Sequence, residues 1–228
     1  MKIRIPTGFW LVASGFFLLL TTGCAQVEGT TTATRRTFEI FSGNTALKAA
    51  RAMYNEQRPD ERRKGINKLV EHAYGRRDPY TKRYIELAQS DPDFLVRATA
   101  IRALNISRHK PATPVFIEAL KDANAHPIVR LEAAKALANI PDESAANPLI
   151  AAVENPSEDL DVRIAAAKAL KHYRKLDVAR ALATTLRGKD FGLAWQSRKS
   201  LENLTGQDLR YDQSAWLAYL SGPTKPFG

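Results

Sequence analysis

The sequence predicts an all-α fold, an α-solenoid of antiparallel helix pairs. The main observation is a motif that recurs every 33 residues, in which a Val-Arg pair precedes an Ala-Leu pair by seven positions. The motifs are Val96-Arg97 with Ala103-Leu104, Val129-Arg130 with Ala136-Leu137, and Val162-Arg163 with Ala169-Leu170. A fixed period in this size range is the signature of a repeat architecture. No stretch shows the sustained apolar alternation of a strand, which favours helices throughout.

Each repeat is predicted to contain two helices. A second apolar series with the same spacing lies upstream of the first, at Leu87, Leu120, Val153 and Leu186. Within one downstream helix the apolar residues form a single stripe, made of Val129, Ala133, Ala136, Leu137 and Ile140. Such a stripe indicates a helix that packs one face against a core. We therefore expect Leu137 and its equivalents to be buried between two layers of helices.

The two ends of the array are predicted to be atypical. Two further amphipathic helices precede the repeats, and a degenerate fourth unit follows them at an offset of 31, with Leu193-Ala194 in place of Val-Arg. A last short helix carries Trp216 and Leu220, which are suited to covering the open end of the stack. Atypical terminal units are expected in a repeat protein because they cap the array.

The first 23 residues are predicted to be an export signal. Lys2 and Arg4 form a short basic start, and an apolar run follows from residue 9 to residue 20, which is the pattern of a secretory signal. The run ends in Thr21-Thr22-Gly23-Cys24, which resembles the lipobox of bacterial lipoproteins. This resemblance implies that Cys24 is the lipidated first residue of the mature chain. An uncleaved membrane helix and ordinary secretion are the alternatives, and all three place the body outside the cytoplasm.

A threonine-rich stretch after Cys24 has little apolar periodicity, and we expect it to be a flexible tether. The predicted parts are a lipoprotein signal peptide over 1–23, the tether over 24–43, N-terminal capping helices over 44–78, the repeats over 79–205, a C-terminal capping helix over 206–221 and a loose tail over 222–228.

The composition argues against a metal or cofactor. The chain has one Cys and four scattered His, whereas zinc and iron–sulfur sites need clustered ligands. We therefore expect neither a cofactor nor a metal. The net charge of +10 suits nucleic acid, anionic lipid or an acidic protein, and export makes nucleic acid the least expected of these partners.

The repeat motif supports a family resemblance. The pattern Asp-x-x-Val-Arg-x-x-Ala-x-x-Ala-Leu, over 93–104 and 159–170, resembles the short HEAT repeats of phycobilin-lyase-type proteins. The resemblance implies structural pairs that tie neighbouring units, Asp93 with Arg97 and Asp159 with Arg163. The second unit departs from the pattern, since His126 stands where Asp is expected. Overall, the chain resembles exported HEAT-repeat lipoproteins of bacteria, a group generally assigned no chemistry.

Several residue groups could suggest catalytic or metal sites, but ordinary structural roles explain them better. The adjacent pair Glu71-His72 is single, whereas HEAT-like di-iron enzymes use repeated His-Glu pairs. Asp208 and Asp212 lack the spacing of a calcium loop, and Asp212 is predicted to cap the last helix. The cationic cluster Arg62-Arg63-Lys64 and the pair Arg76-Arg77 are interpreted as solvated faces. We therefore expect no enzyme activity.

The second helices are predicted to present a binding surface. Their faces opposite the core stripe carry a basic row and an apolar row. The basic row consists of Arg102, Lys135, Lys168 and Lys199. The apolar row consists of Leu131 and Ile164, with Ala98 and Trp195. Second helices usually line the extended binding surface of a solenoid. These rows suit a protein segment with an acidic or mixed surface. The alternative is that they are solvated lysines and aliphatic side chains packed between helices.

The sequence therefore predicts a monomeric, membrane-tethered scaffold or adaptor that mediates protein–protein interaction in the cell envelope, on the periplasmic side. The alternatives are an accessory or subunit of a lyase-type modifying enzyme and a polyanion-binding envelope protein.

Replacing Cys24 with Ala tests the anchor. Because Cys24 is the only thiol of the chain, Cys24→Ala should give an unprocessed or soluble product, as measured by membrane fractionation and mass spectrometry of the N-terminus. Unchanged acylation and fractionation of Cys24→Ala would contradict the lipoprotein prediction.

Overall fold

The computed structural model describes residues 44–222 and Phe227. Cys24, the predicted signal peptide and the predicted tether lie outside the described residues. The helix pairs belong to one compact unit, which begins at Lys48. The described part is all-helical, with eleven α-helices and no strand, which confirms the predicted fold class.

The α-helices follow one another with short connections. They are α1 Asn44–Met53, α2 Pro59–Val70, α3 Tyr80–Ser90, α4 Phe94–Ile106, α5 Thr113–Lys121, α6 Pro127–Asn139, α7 Ala146–Glu154, α8 Leu160–Leu170, α9 Leu176–Thr184, α10 Phe191–Thr205 and α11 Gln213–Ser221. Four short 3₁₀ segments lie between them, at Ala73–Arg76, Lys110–Ala112, Glu143–Ala145 and Thr185–Arg187.

The helices of the unit that begins at Lys48 form two layers. Each repeat pairs a first helix with the second helix that follows it, as in α3 with α4, α5 with α6, α7 with α8 and α9 with α10. The second helices contact one another in the order α2, α4, α6, α8, α10, and the first helices contact one another in the order α3, α5, α7, α9, α11. The predicted helix-pair repeat is therefore confirmed.

Small and large apolar residues have different roles in the core. Alanines at the seventh position of the central second helices are fully buried, namely Ala100, Ala133 and Ala166. Small side chains at such positions let neighbouring helices approach closely. Leucines at the eleventh position, Leu104, Leu137, Leu170 and Leu201, are also fully buried. The burial of Leu137 between the layers confirms the predicted helical register.

Each of the three central second helices begins at a side-chain cap. The Asp93 carboxylate accepts a hydrogen bond from the N–H of Val96 at 2.9 Å, and Asp159 accepts from the N–H of Asp161 at 3.0 Å. His126 takes the place of the aspartate, since its Nδ1 accepts from the N–H of Ile128 at 3.3 Å. The departure from the motif therefore keeps an acceptor at the N-cap, where free N–H groups need one.

Both ends of the stack are tightly packed. A Cβ atom at Gly65 in α2 would lie 2.5 Å from the carbonyl oxygen of Ala49 and from the amide nitrogen of Met53, so only glycine allows α1 to approach this closely. At the other end Trp216 is fully buried, and its indole N–H donates to the carbonyl of Arg210 at 3.1 Å. The predicted burial of Trp216 and Leu220 in the last helix is confirmed.

Truncation of a core leucine should destabilise the fold far more than truncation of a nearby surface residue. Leu137→Ala should lower the free energy of unfolding by about 2–5 kcal/mol, because it leaves a cavity between the helix layers. Lys135→Ala, two residues away on the exposed face, should cost less than about 1 kcal/mol. Denaturant unfolding of both variants measures the difference. Equal costs would contradict the assigned register.

Candidate interaction surface

The predicted binding residues lie at equivalent positions of consecutive second helices. Counted from the first residue of α4, α6, α8 and α10, the fifth positions are Ala98, Leu131, Ile164 and Trp195. The ninth positions are Arg102, Lys135, Lys168 and Lys199, which we call the cation row. Since these helices pack side by side, the structure brings both sets together along one face of the second-helix layer.

Three of the four cations in this row are paired with carboxylates. The Glu132 side chain is almost fully buried and lies between two of them. It accepts from Arg102 Nε at 3.2 Å and lies 3.1 Å from Lys135 Nζ. Lys199 Nζ lies 2.9 Å from a carboxylate oxygen of Glu202. Lys168 has no carboxylate within 4.0 Å in the part of the chain that the structure describes. The row is therefore less positive than its four cations alone suggest.

Apolar exposure on this face is greatest at the C-terminal end. Leu131 and Ile164 are half-buried against the core, and Ala98 is buried. Trp195 is 46% exposed, and Phe191, one turn earlier on α10, is 70% exposed. Large exposed aromatic side chains are typical of protein contact sites. The apolar contribution of this face comes mainly from these two residues.

A small pocket opens at the N-terminal end of the same face. It has a volume of about 280 Å³ and lies between α2, α4 and α6. Arg63, Asn67, Leu95, Arg102 and Ile128 contribute to its walls. The Arg63 guanidinium is itself paired with Asp60 at 2.6 Å. This pocket extends the mixed basic and apolar surface beyond the cation row.

Another recurring feature is an arginine at the fourth position of four consecutive second helices. These residues are Arg62, Arg97, Arg130 and Arg163, which we call the tie arginines. Each donates to a carbonyl of the chain that precedes its helix, as Arg62 does to Asn55 at 2.8 Å and Arg97 does to Asp91 at 2.7 Å. For the first three arginines the acceptor lies in the connection between the two helices of the repeat, whereas Arg163 donates to the carbonyl of Val153 near the end of the first helix.

Two tie arginines also bind the following repeat. Arg62 donates through Nε and Nη2 to the two carboxylate oxygens of Asp91, at 2.7 and 2.8 Å. Arg130 donates through the same nitrogens to Glu158, at 2.9 and 2.8 Å. Both pairs are largely buried, with side chains 5% and 3% exposed for the first. The hydrogen bonds to Asp91 raise the pKa of Arg62, so this guanidinium stays charged in the interior.

These contacts correct two expectations from the sequence. Arg62 is a buried tie between repeats and not part of a solvated face. In the described chain Asp93 forms no ion pair with Arg97, and Asp159 forms none with Arg163, because both aspartates cap helices while the arginines bind backbone carbonyls. A sequence signal for the role of Arg62 exists, since Pro59-x-x-Arg62 repeats as Pro127-x-x-Arg130.

The residues that could suggest metal or catalytic sites have structural partners. Glu71 pairs with Lys68 at 3.1 Å, and the His72 ring stacks on Tyr74 with centroids 5.2 Å apart. Asp212 accepts from the N–H of Ala215 at 3.0 Å and caps α11, as predicted. Among residues 44–222 and Phe227, no three His, Cys, Asp or Glu side chains are grouped to hold a metal ion. In that same part, no helix is long and apolar enough to cross a membrane.

Comparison with protein families matches this chain to HEAT repeats. The matches cover residues 81–171 and 113–202, and together they span more than half of the chain. The chain therefore belongs to the HEAT-repeat family, in agreement with its layered helix pairs. HEAT repeats are typically non-catalytic units that present extended surfaces for protein–protein interaction. A comparison with curated proteins finds no match.

The contact between Arg198 and Asp208 has a measurable signature. Nε and Nη2 of Arg198 donate to Asp208 at 3.0 and 2.7 Å. Hydrogen bonds from Arg198, with one from the N–H of Arg210, lower the pKa of Asp208 from 3.8 to about 2.

Because the folded-state pKa is lowered, this contact stabilises the fold above about pH 4, and its contribution is lost as the pH falls towards 2. NMR titration of the side-chain carboxyl should give a pKa near 2 for Asp208 and a higher value in Arg198→Gln. An unchanged titration in Arg198→Gln would show that this ion pair does not form in solution.

Proposed function

We propose that this protein is a membrane-tethered scaffold of the bacterial cell envelope, with no catalysis of its own, that binds an acidic or mixed protein surface along its second helices. The tether is the lipidated Cys24, an assignment that rests on the sequence of residues 1–24. The binding surface is the cation row with the adjoining aromatic side chains. Membership of the HEAT-repeat family supports the interaction role.

The observation that carries the proposal is the recurrence of exposed cations on a face that the core does not use. Lys135 and Lys168 occupy the same position of adjacent helices α6 and α8 and are both exposed. Electrostatic complementarity of this kind contributes to partner choice and to the rate of association. Phe191 and Trp195 add apolar area at one end, which suits a protein partner better than a purely anionic polymer.

The buried Glu132 determines which substitutions can test this surface. Arg102 crosses from α4 to bind Glu132 on α6, so its removal would also break a contact between repeats. Charge reversal of Lys135 would place an acid beside the same buried carboxylate. Neutral substitutions at Lys135 and Lys168 avoid both problems.

In bacterial cells, a photoreactive benzoylphenylalanine at Trp195 should crosslink the partner, which mass spectrometry then identifies. The double variant Lys135→Gln/Lys168→Gln should lose most of this adduct, because two positive charges leave the contact face. Helicity and Tm should remain nearly unchanged, since both lysines are exposed.

The matched control is Lys82→Gln/Lys121→Gln, which removes two exposed lysines from the first helices α3 and α5. This control should retain the adduct. Equal adduct yields from the two double variants would contradict the role of the cation row. The absence of any protein adduct at Trp195 would contradict the scaffold function itself.

A further inference from the structure

Two of the four tie arginines, Arg62 and Arg130, each hold a carboxylate in a slot between successive repeats. In the slots of Arg62 and Arg130, Nη1 donates to backbone carbonyls of the preceding connection, and the Nε and Nη2 edge binds a carboxylate of the next repeat. A guanidinium edge with two parallel N–H groups matches the two oxygens of a carboxylate. The same arrangement therefore occurs in two separate interfaces of this chain.

The interface between α4 and α6 lacks this carboxylate. Glu158 directly precedes the N-cap residue of α8, and the equivalent residue before the N-cap of α6 is Ala125. The two positions are 33 residues apart, which is one repeat. The Ala125 side chain has no group that could pair with Arg97. The arginine is therefore present in this interface, but the carboxylate that would bind it is not.

The Arg97 guanidinium lies at a cleft that occupies the position of the missing side chain. Nη1 of Arg97 donates to the carbonyls of Asp91 and Pro92, at 2.7 and 3.3 Å, as in the filled slots. Nε and Nη2 have no protein acceptor within the described chain. Arg97 and Ala125 both line a cleft of about 630 Å³, which is large enough for a side chain and the adjoining peptide backbone.

We infer that this cleft is a docking site for an extended segment of a partner protein, and that an Asp or Glu side chain of that segment binds the Nε and Nη2 edge of Arg97. The inference concerns a surface other than the cation row, and it holds whether or not that row binds a partner. The carboxylate of the segment would pair with Arg97 between α4 and α6, as Glu158 pairs with Arg130 between α6 and α8.

The residues that line the cleft besides Arg97 favour a ligand with one carboxylate and with small apolar side chains next to it. Val115, Ala119 and Val129 give the cleft an apolar side. Glu118 and Asp122 lie on its rim, and neither forms an ion pair with Arg97 in the described structure. Acidic rim residues repel additional negative charge. The cleft therefore favours one acidic residue within an otherwise uncharged or apolar segment over a polyanion.

The probe for this site is a peptide based on residues 155–160, with Asp159→Asn so that the glutamate is its one carboxylate: Asn-Pro-Ser-Glu-Asn-Leu, acetylated and amidated at its ends. This segment carries the glutamate that fills the equivalent slot in the same chain. In NMR titrations of the full chain, it should shift the side-chain Nε–H of Arg97 and the amide of Ala125. A peptide with Gln in place of this Glu should bind about tenfold or more weakly, because it loses a charge-assisted bidentate contact.

Substitution of Ala125 tests the same slot without a ligand. Ala125→Glu supplies the carboxylate within the chain, so it should abolish peptide binding. It should also melt about 2–4 °C above Ala125→Gln, which adds the same bulk without the charge. The difference in Tm should disappear in an Arg97→Gln background, because the partner of the new carboxylate is then absent.

Three results would overturn the inference. The first is equal binding of the Glu and Gln peptides, or binding of neither. The second is an equal Tm for Ala125→Glu and Ala125→Gln. The third is tighter binding of the Gln peptide with a free C-terminus than of the capped Glu peptide, which would assign the site to a terminal carboxylate instead of a side chain.

Discussion

The repeat stack depends on an arginine at the fourth position of the second helix. Its guanidinium has two edges, and each has a separate role in the filled slots. One nitrogen holds the connection within the repeat, and the opposite edge holds a carboxylate of the next repeat. A buried guanidinium is acceptable only where its donors are satisfied. The preceding connection and the next repeat must therefore both be placed correctly around Arg62 and Arg130.

The three interfaces between α2, α4, α6 and α8 are not equivalent. Two are closed by a tie arginine with its carboxylate, and the middle one has the cleft beside Arg97. The α4/α6 interface has other polar links, since Arg102 binds Glu132 and Arg108 donates to the carbonyl of Asn139 at 2.6 Å. These links hold α4 against α6 while the end near Ala125 stays open. A single Ala in place of an acid thus converts a structural contact into a candidate binding site.

The sequence was sufficient to predict the fold and part of the surface. A period of 33 residues located the helix pairs and the burial of Leu137, because core positions recur in every repeat. The capping role of Trp216 was predicted from its place in a short helix after the last repeat. It was not sufficient to assign Arg62, which lies among charged neighbours and has a partner 29 residues away. The interpretation of Asp93 with Arg97 was also wrong. A charged side chain can reach several partners. Which of them it binds depends on its rotamer and on loop geometry, and the repeat period predicts neither.

The same reasoning explains why the cation row was only partly predictable. Sequence spacing correctly placed Lys135 and Lys168 at equivalent helical positions. It did not reveal that Glu132 is buried between Arg102 and Lys135, although the glutamate is only three residues from the lysine. Whether a cation is available to a partner depends on where its nearest carboxylate points, and that is a property of packing between helices.

A double-mutant cycle on Arg130 and Glu158 tests the central claim most directly, namely that the tie between repeats is a specific buried interaction. Unfolding free energies of Arg130→Gln, Glu158→Gln and the double variant should give a coupling energy of about 1–3 kcal/mol. The exposed pair Glu118 and Lys121 is the reference, and its coupling should not exceed about 1 kcal/mol. Additivity of the Arg130 and Glu158 substitutions would contradict the account, because the two side chains would then not stabilise the stack through each other.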